Sequence, residues 1–280
     1  MIEKMMTRSN KMKSGFLYFL GCSLTLLLTI PQNLNAQYYQ GLQGGMNIST
    51  LMGGDPPFPN PDFKLGLNGG LVFGLEFSDK FALEADLGII TKGANQDYTE
   101  PLSDELEMRV ESELNLIYGQ GDLIAKFSTP IDRIGVIPYG PFTRRVFLDF
   151  FIGGYGSYFL SGNLNNQYSV FNADSLISDM SYDSTEAFKS NQELGLTSID
   201  FGAVAGFGIK IKVGKEEKGR IFANFRYAFG MYSIDNLRWQ RLEFNDKGDP
   251  IIVRSSLTNQ SIIFSVGYAY SFKGGPNRIQ

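Results

Sequence analysis

The stretch that decides the fold is Ile199-Asp-Phe-Gly-Ala-Val-Ala-Gly-Phe-Gly-Ile-Lys-Ile-Lys-Val213. Its odd-numbered positions hold isoleucine, phenylalanine, alanine or valine, whereas its even-numbered positions are mostly glycine or charged residues. Successive side chains of a β-strand point to opposite faces of the sheet. This period of two therefore predicts a strand with one apolar face and one small or polar face.

The same alternation recurs along the chain, clearly in some segments and less regularly in others. Seven further segments show it: 41–51, 65–77, 81–92, 107–127, 144–160, 221–231 and 262–272. Eight strands are an even number, as a closed bacterial membrane barrel requires. The predicted fold class is all-β, an eight-stranded antiparallel transmembrane β-barrel that occupies residues 37–280 without a boundary to a second domain.

One segment departs from simple alternation. In 107–127 the apolar register changes phase after Tyr118, so that Leu114 and Tyr118 share the outer face with Leu123. We expect a β-bulge at Gly119-Gln120-Gly121, because one extra residue in a strand shifts every later side chain to the other face.

The connections between the predicted strands differ in length. Ser78–Lys80 and Gly214–Gly219 are short, whereas 161–195 and 234–257 are long, polar and predicted to be irregular. If the mature chain starts in the periplasm, the short turns lie inside and the long loops outside, as in outer-membrane barrels. The connection 128–143 is an exception, since it forms a long periplasmic turn in this scheme.

The predicted orientation of the faces depends on where charge falls. A soluble barrel of lipocalin type would point its apolar register inward, but the polar register here is rich in glycine, serine and asparagine, which suit a narrow lumen. The reverse orientation in a membrane would place Glu84, Asp86, Asp200 and Arg226 against lipid. Basic residues near the midplane cost about 2–4 kcal/mol each and acidic ones less, so we predict that the large apolar register faces lipid.

Residues 1–36 have the order of a secretory signal peptide. A basic start precedes an apolar run, Phe16–Ile30, and a short polar stretch, so the mature chain is predicted to begin at Gln37. A lipoprotein acylated on cysteine is the alternative, because Leu20-Gly21-Cys22 resembles a lipobox. Few apolar residues precede that cysteine and the apolar run continues past it, which favours the signal peptide.

The composition argues against several classes of function. Histidine is absent, which removes the commonest general base and transition-metal ligand. The only cysteine, Cys22, lies in the predicted leader. The net charge of the chain is −4 and that of residues 1–36 is +3, which leaves −7 for the mature part. We therefore predict no enzymatic activity, no cofactor and, because an acidic chain without a basic stripe binds nucleic acid poorly, no nucleic-acid partner.

Seven of the charged residues that are predicted to face the lumen form the candidate polar cluster: Glu76, Glu84, Asp86, Arg145, Asp149, Asp200 and Arg226. They could form an ion or solute pathway, or a self-neutralising polar plug. We favour the plug, because eight strands enclose an interior just wide enough for side chains. Arg226 is expected to pair with one or more of Glu84, Asp86 and Asp200.

Acidic residues of the predicted loop 161–195 raise the question of a metal site. Asp174, Asp179, Asp183 and Glu186 could offer oxygen ligands to calcium. Their spacing fits no EF-hand, and an acidic loop is usually solvated. We therefore predict no metal site there.

Several strand phrases resemble those of the PorT-like outer-membrane β-barrel family of Bacteroidota. Residues 41–51 look like the first strand of that family, 199–208 like its Asp-aromatic-Gly strand, and Phe222–Gly230 like its Arg-Tyr-x-x-Gly strand. Segment 118–126 is similar to its fourth strand, with Asp122 where the family usually has proline. The resemblance implies an eight-stranded outer-membrane barrel, and the founding member of the family is linked to type IX protein secretion.

The sequence thus predicts a non-enzymatic outer-membrane barrel, an envelope component or a secretion accessory that acts through long extracellular loops. Its expected partners are outer-membrane lipid and envelope or secretion-machinery proteins. A small-solute channel is the alternative, and an outer-membrane enzyme acting on lipid is the least favoured interpretation.

Overall fold

The computed structural model describes most of the chain beyond the predicted leader. The described residues are 36–53, 62–101, 106–131, 145–172, 175–176, 182–188, 197–214, 217–234, 240–244, 250–254 and 257–272. Within these ranges no helix is long and apolar enough to cross a bilayer. The predicted signal peptide lies outside the described residues, and its cleavage remains a prediction.

Nearly all of the described residues belong to β-strands. In chain order these are β1 (Gln37–Met52), β2 (Lys64–Ser78), β3 (Phe81–Pro101), β4 (Leu106–Pro130), β5 (Arg145–Asn172), β6 (Ser175–Leu176), β7 (Tyr182–Phe188), β8 (Ile199–Val213), β9 (Gly219–Gly230), β10 (Gln240–Phe244), β11 (Pro250–Arg254) and β12 (Thr258–Ser271). Eight of these strands are long, and each predicted strand overlaps one of them.

The eight long strands close into a ring. Each of β1, β2, β3, β4, β5, β8, β9 and β12 pairs with the next one in antiparallel orientation, and β12 pairs back with β1. For example, Tyr39 faces Gly74 of β2 on one side and Ser271 of β12 on the other. Closure leaves no free edge within the ring, so the backbone groups of the spanning strands are satisfied. The predicted eight-stranded antiparallel barrel is confirmed.

The loops predicted to be irregular contain strands, and this part of the prediction is wrong. The pairing of β4 with β5 runs on to Leu106 and Asn172, and β7 pairs with the outer part of β5. Strands β10 and β11 form a separate hairpin within 234–257. Beyond the apolar band most side chains of β5 and β7 are polar, so hydrophobic alternation marks these parts only weakly.

The outer face of the barrel is apolar, as the alternation predicts. Leu65 and Leu67 are each 70% exposed, whereas Val72 and Glu76 of the same strand are buried. Aromatic pairs lie toward both ends of this apolar band: Phe81–Phe127 and Tyr38–Phe272 near the short turns, and Phe201–Tyr232 at the opposite end. Such girdles flank the lipid-facing band of membrane barrels.

The predicted change of phase in β4 does not occur. Leu114, Leu116 and Tyr118 point into the barrel, on the same face as Asp122, whereas Leu123 is 64% exposed. A register irregularity lies nearby, but its extra residue is in β5. The prediction failed because a strand that packs against apolar side chains inside the barrel shows the same pattern as one that faces lipid.

Glycine allows bulky side chains to fill the interior. A Cβ atom added to Gly206 would lie 2.1 Å from the carbonyl oxygen of Phe225 and 2.7 Å from the ring of Phe151. The Phe151 ring is buried inside the barrel. At this position glycine therefore permits both the close approach of strands β8 and β9 and the packing of the Phe151 ring of the neighbouring strand β5 over Gly206.

Candidate functional site

The candidate site is the lumen, where charged side chains from six strands meet. Among the described residues, six carboxylates and six cations of the barrel interior are at most 8% exposed: Glu76, Glu84, Asp86, Asp122, Asp149, Asp200, Lys92, Lys126, Lys210, Lys212, Arg220 and Arg226. Alternation of side chains places them inward, since each falls in the polar register of its strand. If all are ionised, this set carries no net charge.

The charges nearest the short turns surround Glu76. Its carboxylate lies 2.5 Å from Arg220 Nη2, 3.3 Å from Lys212 Nζ and 3.6 Å from Lys210 Nζ. The guanidinium of Arg220 also lies 4.0 Å from the centre of the Tyr39 ring. One carboxylate is thus held by three cations from β8 and β9.

Lys210 connects Glu76 to a second carboxylate. Its Nζ lies 3.5 Å from Asp149 Oδ1 and donates a 2.8 Å hydrogen bond to Ser128 Oγ. The Ser128 hydroxyl in turn donates to Asp149 at 2.6 Å. Lys212 reaches Asp79 of the turn between β2 and β3 at 2.8 Å. The excess of positive charge around Glu76 is therefore balanced by its neighbours.

The middle of the lumen is organised by Arg226. Its Nη1 lies 2.5 Å from Asp86 and 3.1 Å from Asp122, and its Nη2 lies 3.6 Å from Glu84. Glu84 also lies 2.6 Å from Lys126 Nζ. Three carboxylates from β3 and β4 are thus held by one arginine of β9 and one lysine of β4.

Amides and a hydroxyl complete this central cluster. Tyr39 donates a 2.8 Å hydrogen bond to Glu84. Gln43 accepts a hydrogen bond from Arg226 and donates one of 2.9 Å to Asp86. Gln120 donates a hydrogen bond of 2.8 Å to Asp122. Hydrogen bonds to charged groups are roughly twice as strong as neutral ones, so these contacts help to offset desolvation. A cavity of only about 40 Å³ adjoins the cluster, enough for one or two waters.

A third group lies further toward the long connections. Lys92 Nζ lies 3.0 Å from Asp200, and both side chains are at most 1% exposed. Asp200 also accepts hydrogen bonds from Asn259 at 3.0 Å and from the Tyr155 hydroxyl at 3.2 Å. Lys92 lies 4.4 Å from the centre of the Tyr155 ring, a favourable cation–π contact.

An apolar cluster fills the lumen beyond the charges. It combines buried side chains from the long-loop ends of several strands and from the connection between β9 and β12: Leu51, Ile90, Ala94, Leu114, Leu116, Tyr118, Tyr155, Phe159, Ala228, Ile234, Leu257 and Ile263. Tyr118 and Phe159 meet edge to face with centroids 5.8 Å apart. The sequence predicted a polar register facing the lumen. The structure shows instead that one end of the lumen is packed with apolar side chains.

The structure places six of the seven predicted site residues inside the barrel. The seventh, Arg145, begins β5 opposite Lys212, and its side chain lies outside the described residues. Arg226 was expected to pair with one or more of Glu84, Asp86 and Asp200; it pairs with Glu84 and Asp86, whereas Asp200 pairs with Lys92. Asp200 lies near the long-loop end of β8, beyond the reach of Arg226.

Several members of the network were missed by the prediction: Lys92, Asp122, Lys126, Lys210, Lys212 and Arg220. Their inward orientation could have been predicted from the alternation. Lys210 and Lys212 are at even-numbered positions of β8, as is Asp200, and Arg220 is at an even-numbered position of β9, as is Arg226. Asp122 and Lys126 could also have been identified, because they alternate with Leu123, which was predicted to face outward.

The suggested calcium ligands are not part of the described site. Asp174 and Asp179 lie outside the described residues, as do the side chains of Asp183 and Glu186. In the described part of the chain, no three acidic, histidine or cysteine side chains are grouped so that they could hold a metal ion.

Solved structures similar to this chain are outer-membrane proteins of low sequence identity. Ail of Yersinia pestis is 11% identical, with 84% of this chain and 99% of Ail covered and a TM-score of 0.29. Neisserial surface protein A is 12% identical, with 84% and 97% covered and a TM-score of 0.31. The protease OmpT of Escherichia coli is 9% identical, with 88% and 100% covered and a TM-score of 0.32.

The family assignment comes from the sequence itself. No curated protein matches the chain. A family model described as outer membrane protein beta-barrel domain matches residues 32–236, which is well over half of the chain and spans β1 to β9. The protein therefore belongs to the outer membrane protein β-barrel domain family and resides in the outer membrane.

Proposed function

We propose that the protein is a non-enzymatic, closed barrel that serves as an envelope component or secretion accessory and acts through its long-loop end. The observation that carries this proposal is the filling of the lumen. Charges of opposite sign are paired along it, and an apolar cluster closes it toward the long connections. Eight strands leave room for side chains rather than for an aqueous channel, which needs about 16–18 strands.

Pairing of the buried charges supports a structural role for them. An unpaired charge in a low-dielectric interior is costly, and partner charges with additional hydrogen bonds offset that cost. A conducting lumen would instead hold hydrated charges along an open path. The cavity beside Arg226 is too small for such a path.

The partners follow from the two surfaces that remain. The exposed apolar face of the strands suits outer-membrane lipid. The extended β3–β4 and β4–β5 pairs present a polar surface at one end, suited to envelope or secretion-machinery proteins. The secretion role is the more specific part of the proposal and is motivated by the resemblance of the strand phrases to the PorT-like family.

Conductance in a planar bilayer tests the closed lumen. Purified protein at neutral pH is expected to give no stable porin-like conductance steps. A heat-unfolded sample of the same preparation is the control and should also give none. Uniform ohmic steps proportional to the folded protein added would overturn the proposal. If Glu84→Gln together with Asp86→Asn removed the cation preference of such steps, the protein would be a channel.

A deletion strain tests the biological role. Loss of the gene is expected to alter export of secreted proteins or envelope integrity and to leave the acyl-chain profile of outer-membrane lipids unchanged. A changed lipid profile, restored by the wild-type gene, would identify an enzyme instead. Unchanged export with a weakened envelope would retain the envelope role and exclude the secretion role.

A further inference from the structure

Beyond the apolar band, β3, β4, β5 and β7 continue as one antiparallel sheet, which we call the extended sheet. The last pair of β5 with β8 is Tyr158 with Ile199. From Gly162 to Tyr168, β5 pairs with β7 instead. Among the described strands, β7 pairs with β5 alone. The extended sheet therefore does not close as the ring does, and it ends at two edges, β3 and β7.

The edge at β3 is covered where it leaves the barrel. The Ser49 hydroxyl of β1 accepts a 3.0 Å hydrogen bond from the N–H of Gly93 and donates one of 3.1 Å to its C=O. Asp62 exchanges two backbone hydrogen bonds with Asn95, of 2.6 and 3.2 Å. The strand ends at Pro101, which has no N–H to offer. Such features keep an edge strand from pairing with another chain.

The register shows which groups of β7 point away from the sheet. In an antiparallel sheet, successive residues direct their backbone groups alternately to the two neighbouring strands. Asn95 uses both of its groups on Asp62, on the side away from β4. The hydrogen-bonded pairs across the sheet are therefore Gln96–Ser112, Glu113–Asn165 and Asn166–Ser184. It follows that Asp183, Thr185 and Ala187 direct their N–H and C=O groups away from β5.

The edge at β7 has no such cover in the described part of the chain. Thr185 is exposed, and no described group forms a hydrogen bond with its N–H or C=O on the side away from β5. Strand β7 contains neither proline nor lysine, the residues that commonly protect an edge. Its charged residues are Asp183 and Glu186. An acidic strand would meet repulsion at this edge, whereas lysine or arginine opposite a carboxylate is favourable.

We propose that the open edge of β7 binds an extended, basic segment of a partner protein, which joins the extended sheet as a further strand. The backbone groups of Asp183, Thr185 and Ala187 form the hydrogen bonds of the new pair, as in other cases of recognition by strand addition. Basic residues of the segment complement Asp183 and Glu186. The inference rests on the proposed function, because it names the kind of protein that is contacted at the long-loop end.

Titration of purified, detergent-solubilised protein with a fluorescent peptide tests the proposal. The probe is Thr-Lys-Thr-Val-Lys-Val-Thr-Lys-Thr with both ends blocked, whose lysines have the same spacing as Asp183 and Glu186. It is expected to bind, and its counterpart with glutamate in place of lysine to bind at least about tenfold more weakly. No binding of the lysine peptide at millimolar concentration, or equal binding of both peptides, would overturn the proposal.

Matched variants at one position place the binding at the edge. Thr185→Pro removes the N–H that points away from β5, and proline is tolerated at an edge in this orientation. It is expected to weaken binding of the lysine peptide by about tenfold or more, whereas Thr185→Ala keeps the N–H and the affinity. The Ser184 N–H should stay protected from hydrogen exchange in both variants, because it bonds to β5. Equal affinities of Thr185→Pro and Thr185→Ala would show that the peptide binds elsewhere.

A charge variant provides an independent measurement, even if Thr185→Pro loosens β7. Asp183→Asn together with Glu186→Gln keeps every backbone group of the edge. It is expected to abolish the preference for the lysine peptide over the glutamate peptide. An unchanged preference would show that other carboxylates cause it, and the proposal would be wrong.

Export and envelope integrity in living cells separate this inference from the proposed function. A strain with Thr185→Pro is expected to show the defect of the deletion strain, and a strain with Thr185→Ala to resemble wild type. A Thr185→Pro strain without a defect, beside a defective deletion strain, would overturn the inference and retain the proposed function. A deletion strain without a defect would overturn the proposed function, and the peptide titration would still decide whether the edge binds a strand.

Discussion

Arg226 in the lumen and Arg109 in the extended sheet have the same kind of partners in opposite surroundings. Arg226 lies between Asp86 and Asp122, and it is 2% exposed. Arg109 contacts Asp97 and Glu111, and its side chain is 45% exposed. The contacts alone would suggest that the two arginines contribute equally to the stability of the fold. Burial distinguishes them, because water can replace the partners of Arg109 but not those of Arg226.

The comparison shows what a charged pair contributes in each place. In the lumen both charges of a pair are removed from water when the barrel folds. Loss of one partner therefore leaves the other charge buried and uncompensated. On the exposed sheet, side-chain entropy and screening by water and salt cancel most of the attraction. The two arginines therefore predict a graded series of effects.

The largest effect is expected for Arg226→Met, which removes the cation between Asp86 and Asp122. Because these carboxylates stay buried, the free energy of unfolding should fall by about 3–5 kcal/mol. Urea unfolding in lipid vesicles, followed by heat-modifiable gel mobility, measures it. Addition of Asp86→Asn and Asp122→Asn should restore part of the loss. An unfolding midpoint equal to that of wild type would show that water solvates the cluster and would favour the pore interpretation.

A smaller loss is expected for Lys92→Met. Asp200 loses its cation but keeps the hydrogen bonds from Asn259 and Tyr155, so the free energy of unfolding should fall by about 2–3 kcal/mol. Lys64→Met is the matched control, because its partner Glu113 is half exposed. If both lysine variants shifted the unfolding midpoint equally, burial would not be the cause.

Only a small loss is expected for Arg109→Met. Its carboxylate partners become solvated when the guanidinium is removed, so the unfolding midpoint should lie close to that of wild type, with any difference largest at low salt concentration. The same unfolding assay measures this variant. A shift as large as that of Arg226→Met would contradict the comparison between the two arginines.

The smallest effect concerns pH. Hydrogen bonds from Arg109 hold the pKa of Asp97 below its usual value. A carboxyl group with a lowered folded-state pKa stabilises above its unfolded pKa, and this contribution is lost as pH falls through the folded value. NMR titration of the Asp97 carboxyl should show a lowered pKa in wild type and an ordinary one in Arg109→Met. An unchanged pKa in the variant would show that Arg109 is not its cause.

Much of the barrel could be predicted because its signal is local. The bounds predicted for β8 are those of the structure, and in β2 and β9 the predicted apolar face is the exposed one. A period of two survives wherever lipid faces one side and small or polar side chains face the other. In β4 this condition fails, because Leu114 and Tyr118 pack against an apolar cluster inside the barrel. The extensions of β3 and β5 are mostly polar and show this signal only weakly.

The sequence by itself determined the eight spanning strands and, outside β4, the register that carries charge, since both depend on residues close together in the chain. Only the tertiary structure decided which charges meet. Arg226 of β9 reaches Asp122 of β4 across the lumen, while Asp200 of β8 meets Lys92 of β3 instead. These pairings depend on ring closure and on the tilt and stagger of the strands, which set the height of each side chain in the lumen. No local pattern encodes that height.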